Sequence, residues 1–207
     1  AQSLAAEEVA GGCFCCRFSD LVEAAERLRV HDPDVIFAEP VGSCIDIPAT
    51  VVHPLKALHR DRMRVAPLTV LVDPRLAADV FAGRAGDDVS YLFRNQLMEA
   101  DILCTGKSDM AGPPLDLDVD YRVSAKTGAG VEEWLEDVLS GRRVAGARRL
   151  TVDYGRYAEA EAALGWLNIH AAVKHRGALS PAMLAGPLLD GLDAALTAAG
   201  IRIAHLK

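Results

Sequence analysis

Three cysteines, Cys13, Cys15 and Cys16, follow directly on the Gly11-Gly12 pair. Thiolates bind Zn²⁺ at about 2.3 Å, and spacing this close lets several of them share one ion. Three sulfurs leave one tetrahedral position open, which suits a metal that is passed on rather than a structural one. Thiols also serve as small buried hydrophobes or as redox pairs. Three of them crowded behind two glycines favour metal over both. Arg17 stands beside them, and a cation there would help keep the thiols ionised. The fourth ligand is left open between Cys44, a water and a partner's group. Cys104 lies inside an apolar run and reads as core.

Three further groups each follow an apolar run. Glu39-Pro40-Val41-Gly42 offers a carboxylate for a metal-bound water, and a glycine past which a backbone N–H can approach a phosphate. Taken alone, it reads equally as a strand-to-loop turn. In Gly106-Lys107-Ser108-Asp109 the Asp carboxylate can accept both N–H groups of a guanine edge, and the Lys stem can lie over the purine. In Ser124-Ala125-Lys126-Thr127-Gly128 a backbone N–H can reach the guanine carbonyl oxygen. Each tripeptide is common by chance. The two in this order after successive strands are much less so.

Such groups need elements that hold them. Short continuous apolar runs at 34–38, 68–72, 102–105 and 121–123 read as strands covered on both faces. Amphipathic spacing predicts helices over 20–30, 75–82, 88–99 and 129–139, the first opened by an Asp20–Glu23 capping box. Strands alternating with helices give an α/β fold with a parallel sheet, whose ligand residues lie just past the strands' carboxyl ends. Arginines and glycines over 142–150 read as a linker. A strand over 164–174, a helix from Pro181 to about 199 and a last strand from Ile201 then open a smaller α+β domain over 151–207.

The chain resembles a CobW-type GTPase, of the P-loop metallochaperone group with HypB and UreG. Gly12-Cys13-Phe14-Cys15-Cys16, Glu39-Pro40-Val41-Gly42, Lys107-Ser108-Asp109 and Ser124-Ala125-Lys126 carry the likeness. The segment from Asp153-Tyr154 to Trp166-Leu167-Asn168 also resembles the domain junction of such proteins. The resemblance implies a P-loop NTPase-like sheet with helices on both faces, GTP/GDP and Mg²⁺ as cofactors, and Zn²⁺ or another divalent metal such as cobalt as the handled ion. Glu39 and Gly42 would form the magnesium and γ-phosphate switch, Glu39 being the catalytic group. Asp109 would select guanine, with Lys107, Ser124, Ala125 and Lys126 holding the base. Cys13, Cys15 and Cys16 would hold the metal. A metal-dependent client protein and a homodimer are implied partners.

The family's G-x-x-G-x-G-K-T loop does not occur in the sequence. It is expected upstream of Ala1 with the first strand, so the GTPase domain, residues 1–141, reads as lacking its phosphate cradle and as inactive by itself. Gly106 stands where the family has Asn, which ties the base site to that loop. Both features also fit a non-enzymatic metal-binding or regulatory module with a degenerate nucleotide site. A thiol redox protein is a weaker third reading.

The composition narrows the rest. Of 207 residues, 51% are apolar and 25% charged, a globular balance. The net charge of −7 opposes a nucleic-acid partner bound through phosphates. No apolar run is long enough to span a membrane, and no signal peptide opens the sequence. An odd cysteine count without a disulfide framework points to the cytoplasm. His53, His59, His170 and His175 read as solvent-facing, Trp134 as core, Trp166 as packing between domains, and Asp116–Asp120 as a solvated acidic loop.

Overall fold

Three of the four apolar runs form strands. In the computed structural model β1 is Thr69–Val72, β2 Ile102–Thr105 and β3 Tyr121–Arg122. They make a parallel sheet in the order β1-β2-β3, with Thr69 opposite Ile102 and Cys104 opposite Tyr121. The structure describes residues 4–110, 112, 116–165, 172, 174, 177 and 180–201. The fourth run, 34–38, is extended but unpaired among the described residues. Phe37 is 70% exposed there, and Val35 and Ile36 are also exposed. A strand exists through its ladder, and none of the three strands supplies one to this segment.

Successive side chains of β2 point to opposite faces, and both faces are covered. Leu103 packs with Val72, Ala77, Val80 and Phe93, drawn from β1, α3 (Pro74–Phe81) and α4 (Asp87–Glu99). Ile102 and Cys104 pack with Val123 and with Val131, Trp134 and Val138 of α5 (Val131–Ser140). Cys104 is fully buried, as its apolar run requires. Trp134 joins that core with its indole N–H donating to Thr69 Oγ1 at 3.1 Å. Helix α3 begins where Asp73 accepts from the Arg75 amide at 2.8 Å and Pro74 takes the first turn.

Helix α1 (Phe18–Leu28) starts two residues before its expected position. The capping box does not form, because Asp20 lies inside the first turn and pairs with Arg17 at 2.5 Å. Three helical segments were not expected from the sequence. Residues Pro48–Val52 form a π-helical turn that runs into α2 (His53–Leu58), and α6 spans Tyr154–Ala163. Pro48 and Pro54 suggest a break, yet each occupies an opening helical position, where proline loses no hydrogen bond. Asp153 caps α6 by accepting from the Arg156 amide at 3.1 Å.

The first compact unit runs to Leu164, and residues 142–150 are fastened to it. Asp101 accepts from the amides of Leu68 at 2.9 Å, Gly146 at 2.6 Å and Ala147 at 2.8 Å. Arg143 pairs with Asp120 and Asp137, so one end of the acidic run is engaged rather than merely solvated. His53, half-buried, bonds the Gly146 carbonyl oxygen through Nε2 at 2.9 Å, and Lys56 donates to that of Ala145. His59 is half-buried as well, tilted against Phe18. Neither histidine is the solvent-facing loop residue expected.

Gly130, the residue before α5, has φ +70, and a Cβ there would meet the Arg122 carbonyl oxygen at 2.2 Å. Gly130→Ala is therefore expected to cost at least about 2 kcal/mol, from the left-handed backbone and the clash together. Chemical denaturation would read the loss, and an unchanged midpoint would refute it.

The second unit, Gly165–Lys207, contains α7 (Pro181–Ala198), opened by Pro181 as expected. Most of the strand expected over 164–174, with Trp166 and His170, lies outside the described residues, as do His175 and the strand expected after Ile201. Among the described residues no helix is long and apolar enough to cross a membrane.

Candidate functional site

Two loops leave the carboxyl ends of β2 and β3 side by side. After β2, the Gly106 amide donates to Val72 O at 2.9 Å and the Ser108 amide to Val123 O at 3.1 Å. Lys107 takes φ +57, and its ammonium reaches Asp73 at 2.5 Å. Against the cost of burial, Lys107 holds the Asp73 carboxyl below its usual range. After β3, Ser124 is fully buried, and the loop closes as its amide donates to Ala129 O at 2.9 Å.

Ser124 Oγ donates to Asp109 Oδ1 at 2.6 Å, joining the two loops. An ionised carboxylate has about four acceptor sites, so this bond leaves capacity for a ligand's donors. Asp109, Ala125 and Lys126 are exposed around it. The bond thus brings together two of the residues expected at the base site, fifteen positions apart in the chain. A Cβ on Gly106 would meet Val72 O at 3.8 Å, an ordinary contact, so glycine is not required there by space.

The cysteines form the second constellation. Gly11 turns the chain with φ +79 and packs against Arg17. The sulfurs of Cys13, Cys15 and Cys44 lie within 4.8 Å of one another. Cys44 is 2.8 Å from Cys13 and 3.4 Å from Cys15. Cys16 is exposed and lies outside that trio, 3.8 Å from Cys15. Cys44 is buried in a core with Phe14, Ile47, Val51, Val52 and Ala145, against which Cys13 and Cys15 lean. The hydrogen bond it shares with Cys44 lowers the Cys15 thiol to about 6 against its partial burial. The same bond, and then burial, push the Cys44 thiol up. Burial, and then the nearby Cys15, raise Cys16. Arg17 turns away from the sulfurs, onto Ala10 O and Asp20.

The Cys44 loop is braced by α4. Gln96 donates to Gly42 O at 2.8 Å and to Cys44 O at 3.1 Å. Glu99, 1% exposed, accepts from the Ile47 amide at 2.9 Å and also from that of Asp46. Burial raises the Glu99 carboxyl to about 8. Tyr154 of α6 donates to the Asp46 carboxylate, which holds Asp46 at φ +63. Glu39 is exposed on the extended segment before this loop, and the space around Gly42 is open. Sequence reasoning missed Glu99, Asp46 and Asp101. The available signal was a carboxylate on either side of Ala100, directly before a strand covered on both faces.

A soft trio of thiols on two neighbouring loops fits a thiophilic divalent metal. Residues 1–127 match the family model described as "CobW/HypB/UreG, nucleotide-binding domain". No curated protein and no solved structure matches the chain.

Proposed function

The chain belongs to the CobW/HypB/UreG nucleotide-binding family, and from that premise we propose that it couples guanine-nucleotide binding to the handling of a divalent metal. The observation that carries this reading is the Ser124–Asp109 hydrogen bond across the two strand-end loops. That bond would orient the Asp109 carboxylate to accept a purine's paired N–H donors. Lys107 would lay its stem along the base, and the backbone at Ala125 and Lys126 would meet the carbonyl edge. Glu39 and Gly42 would serve the phosphate end, Glu39 by holding a magnesium-bound water. Bound Mg²⁺ would neutralise phosphate charge there.

The metal, zinc or cobalt by the softness of the ligands, is cargo on the cysteine loops. Cys13, Cys15 and Cys16 are its candidate ligands from the local spacing. GTP hydrolysis would gate its capture or its release to a client protein. The supporting arrangement is one continuous loop: the Glu39–Gly42 segment runs into Cys44, and Gln96 holds the carbonyls of both Gly42 and Cys44.

The test is competition between GDP and ADP for the chain, followed by ligand-observed NMR. Asp109→Ala is expected to abolish a guanine preference on the order of 100-fold, the worth of two hydrogen bonds to a charged acceptor. Equal binding of GDP and ADP by the unaltered chain would sink the guanine reading. Gly106 supports a second reading, a metal-binding module whose nucleotide site has decayed. Zinc uptake without any nucleotide binding would favour it.

A further inference from the structure

We infer that the metal-holding set is Cys13, Cys15 and Cys44, with Cys16 placed at the exposed rim as the sulfur through which the ion is exchanged. This rests on the cysteine-metal reading above and specifies its ligands. The local run of three cysteines does not meet at one point. Its first two members, Cys13 and Cys15, meet a thiol about thirty residues away, at 2.8 and 3.4 Å. In a tetrahedral zinc site with bonds of about 2.3 Å, neighbouring sulfurs stand about 3.8 Å apart. The trio therefore needs to open by only about 1 Å at its tightest edge to seat an ion.

The surroundings divide the four thiols by role. Cys44 is anchored in an apolar core, and its loop is tied at Gly42, Cys44 and Ile47 to α4. A ligand held this firmly retains metal. Cys16 is exposed and 3.8 Å from Cys15, near enough to replace one bond as another breaks. Glu161 on α6 supplies an independent observation. Its Oε1 is buried with no hydrogen-bond partner among the described residues, and the carboxyl lies near enough to Cys16 to help raise that thiol. A buried carboxyl oxygen without a donor is a group that a cation would satisfy.

Ligand exchange conserves charge and electrons here. The Cys16 sulfur gives up its thiol proton as it bonds the ion, the holding thiolate that leaves takes a proton up, and no oxidant is involved. The site thereby pins the Gly11–Cys16 turn to the loop that follows Glu39–Gly42, so the ion and that loop cannot move independently.

The experiment titrates the full chain, reduced, with Zn²⁺ against a chromophoric chelator, and with Co²⁺ for its thiolate charge-transfer band. Cys44→Val fills the apolar cluster, and Cys44→Ser is its polar counterpart; far-ultraviolet circular dichroism reports whether each is folded. Either is expected to weaken zinc at least about 100-fold, more than loss of a supporting group costs, and to lower the cobalt band by about one third. Should both variants unfold, the cobalt comparison of unaltered chain with Cys16→Ser decides. Cys16→Ser should keep the three-thiolate band and bind within a few-fold of the unaltered chain, but release zinc to the chelator about tenfold more slowly. If Cys16→Ser loses a third of the band, or folded Cys44→Val binds zinc as tightly as before, the ligand set is overturned while the metal reading stands. If the unaltered chain takes up no zinc, both fall.

Discussion

Raising the pH from about 4.5 to about 8 is expected to destabilise the first unit by on the order of 4 to 5 kcal/mol through Glu99 alone, at about 1.4 kcal/mol per unit. The carboxyl's value is raised from an ordinary 4.5 to about 8 by burial. Below 4.5 it is protonated in the folded and unfolded chains alike, and its full contribution is present. Between the two values the unfolded chain releases the proton and the folded chain keeps it, so stability falls steadily. Above 8 both forms are ionised and the loss is complete. Glu99→Gln removes the titration and keeps an oxygen for the Ile47 amide. Urea denaturation at pH 5, 6.5 and 8 should show a slope in the unaltered chain that this variant lacks. Parallel curves would show that Glu99 is ionised when folded.

Asp101→Ala should be the most damaging single truncation at the strap formed by residues 142–150, at about 3 to 5 kcal/mol. One carboxylate receives the amides of Leu68, Gly146 and Ala147, and removing it leaves three donors without that acceptor. Hydrogen bonds to charged groups are worth about 1.5 to 3 kcal/mol each, but bonds to one acceptor do not add fully. Asp101→Asn should recover only part of the loss, because its amide nitrogen would face N–H donors. The measurement is the shift in denaturation midpoint of both variants. A change below about 1 kcal/mol in Asp101→Ala would mean that water replaces the carboxylate at little cost.

Both effects come from residues invisible to local pattern. Period and composition suffice where an element is made by its own neighbours. The runs at 68–72, 102–105 and 121–123 and the helix at 181–199 are legible for that reason, and α3, α4 and α5 lie within two residues of expectation at each end. The pairing of the Asp109 and Ser124 loops is legible because both sit directly past strands. The run at 34–38 has strand composition, but pairing is a property of its neighbours, and none pairs with it among the described residues. The cysteine cluster is legible as a cluster, yet the meeting of Cys13 and Cys15 with Cys44 depends on two loops folding together. Cys44 was one open choice among several from sequence, and only the three-dimensional fold brings its sulfur to the others.

The π-helical turn at Pro48–Val52 also sets an angular phase. A π turn carries about one residue more than an α turn, and each residue of an α-helix advances about 100°. Without that extra residue, α2 would emerge rotated by about 100° about its axis. His53 and Lys56, which now reach the carbonyls of Gly146 and Ala145, would swing off the strap. The irregular turn therefore acts as an indexing step, converting the position of the Cys44 loop into the orientation of the helix that holds residues 145 and 146 in place.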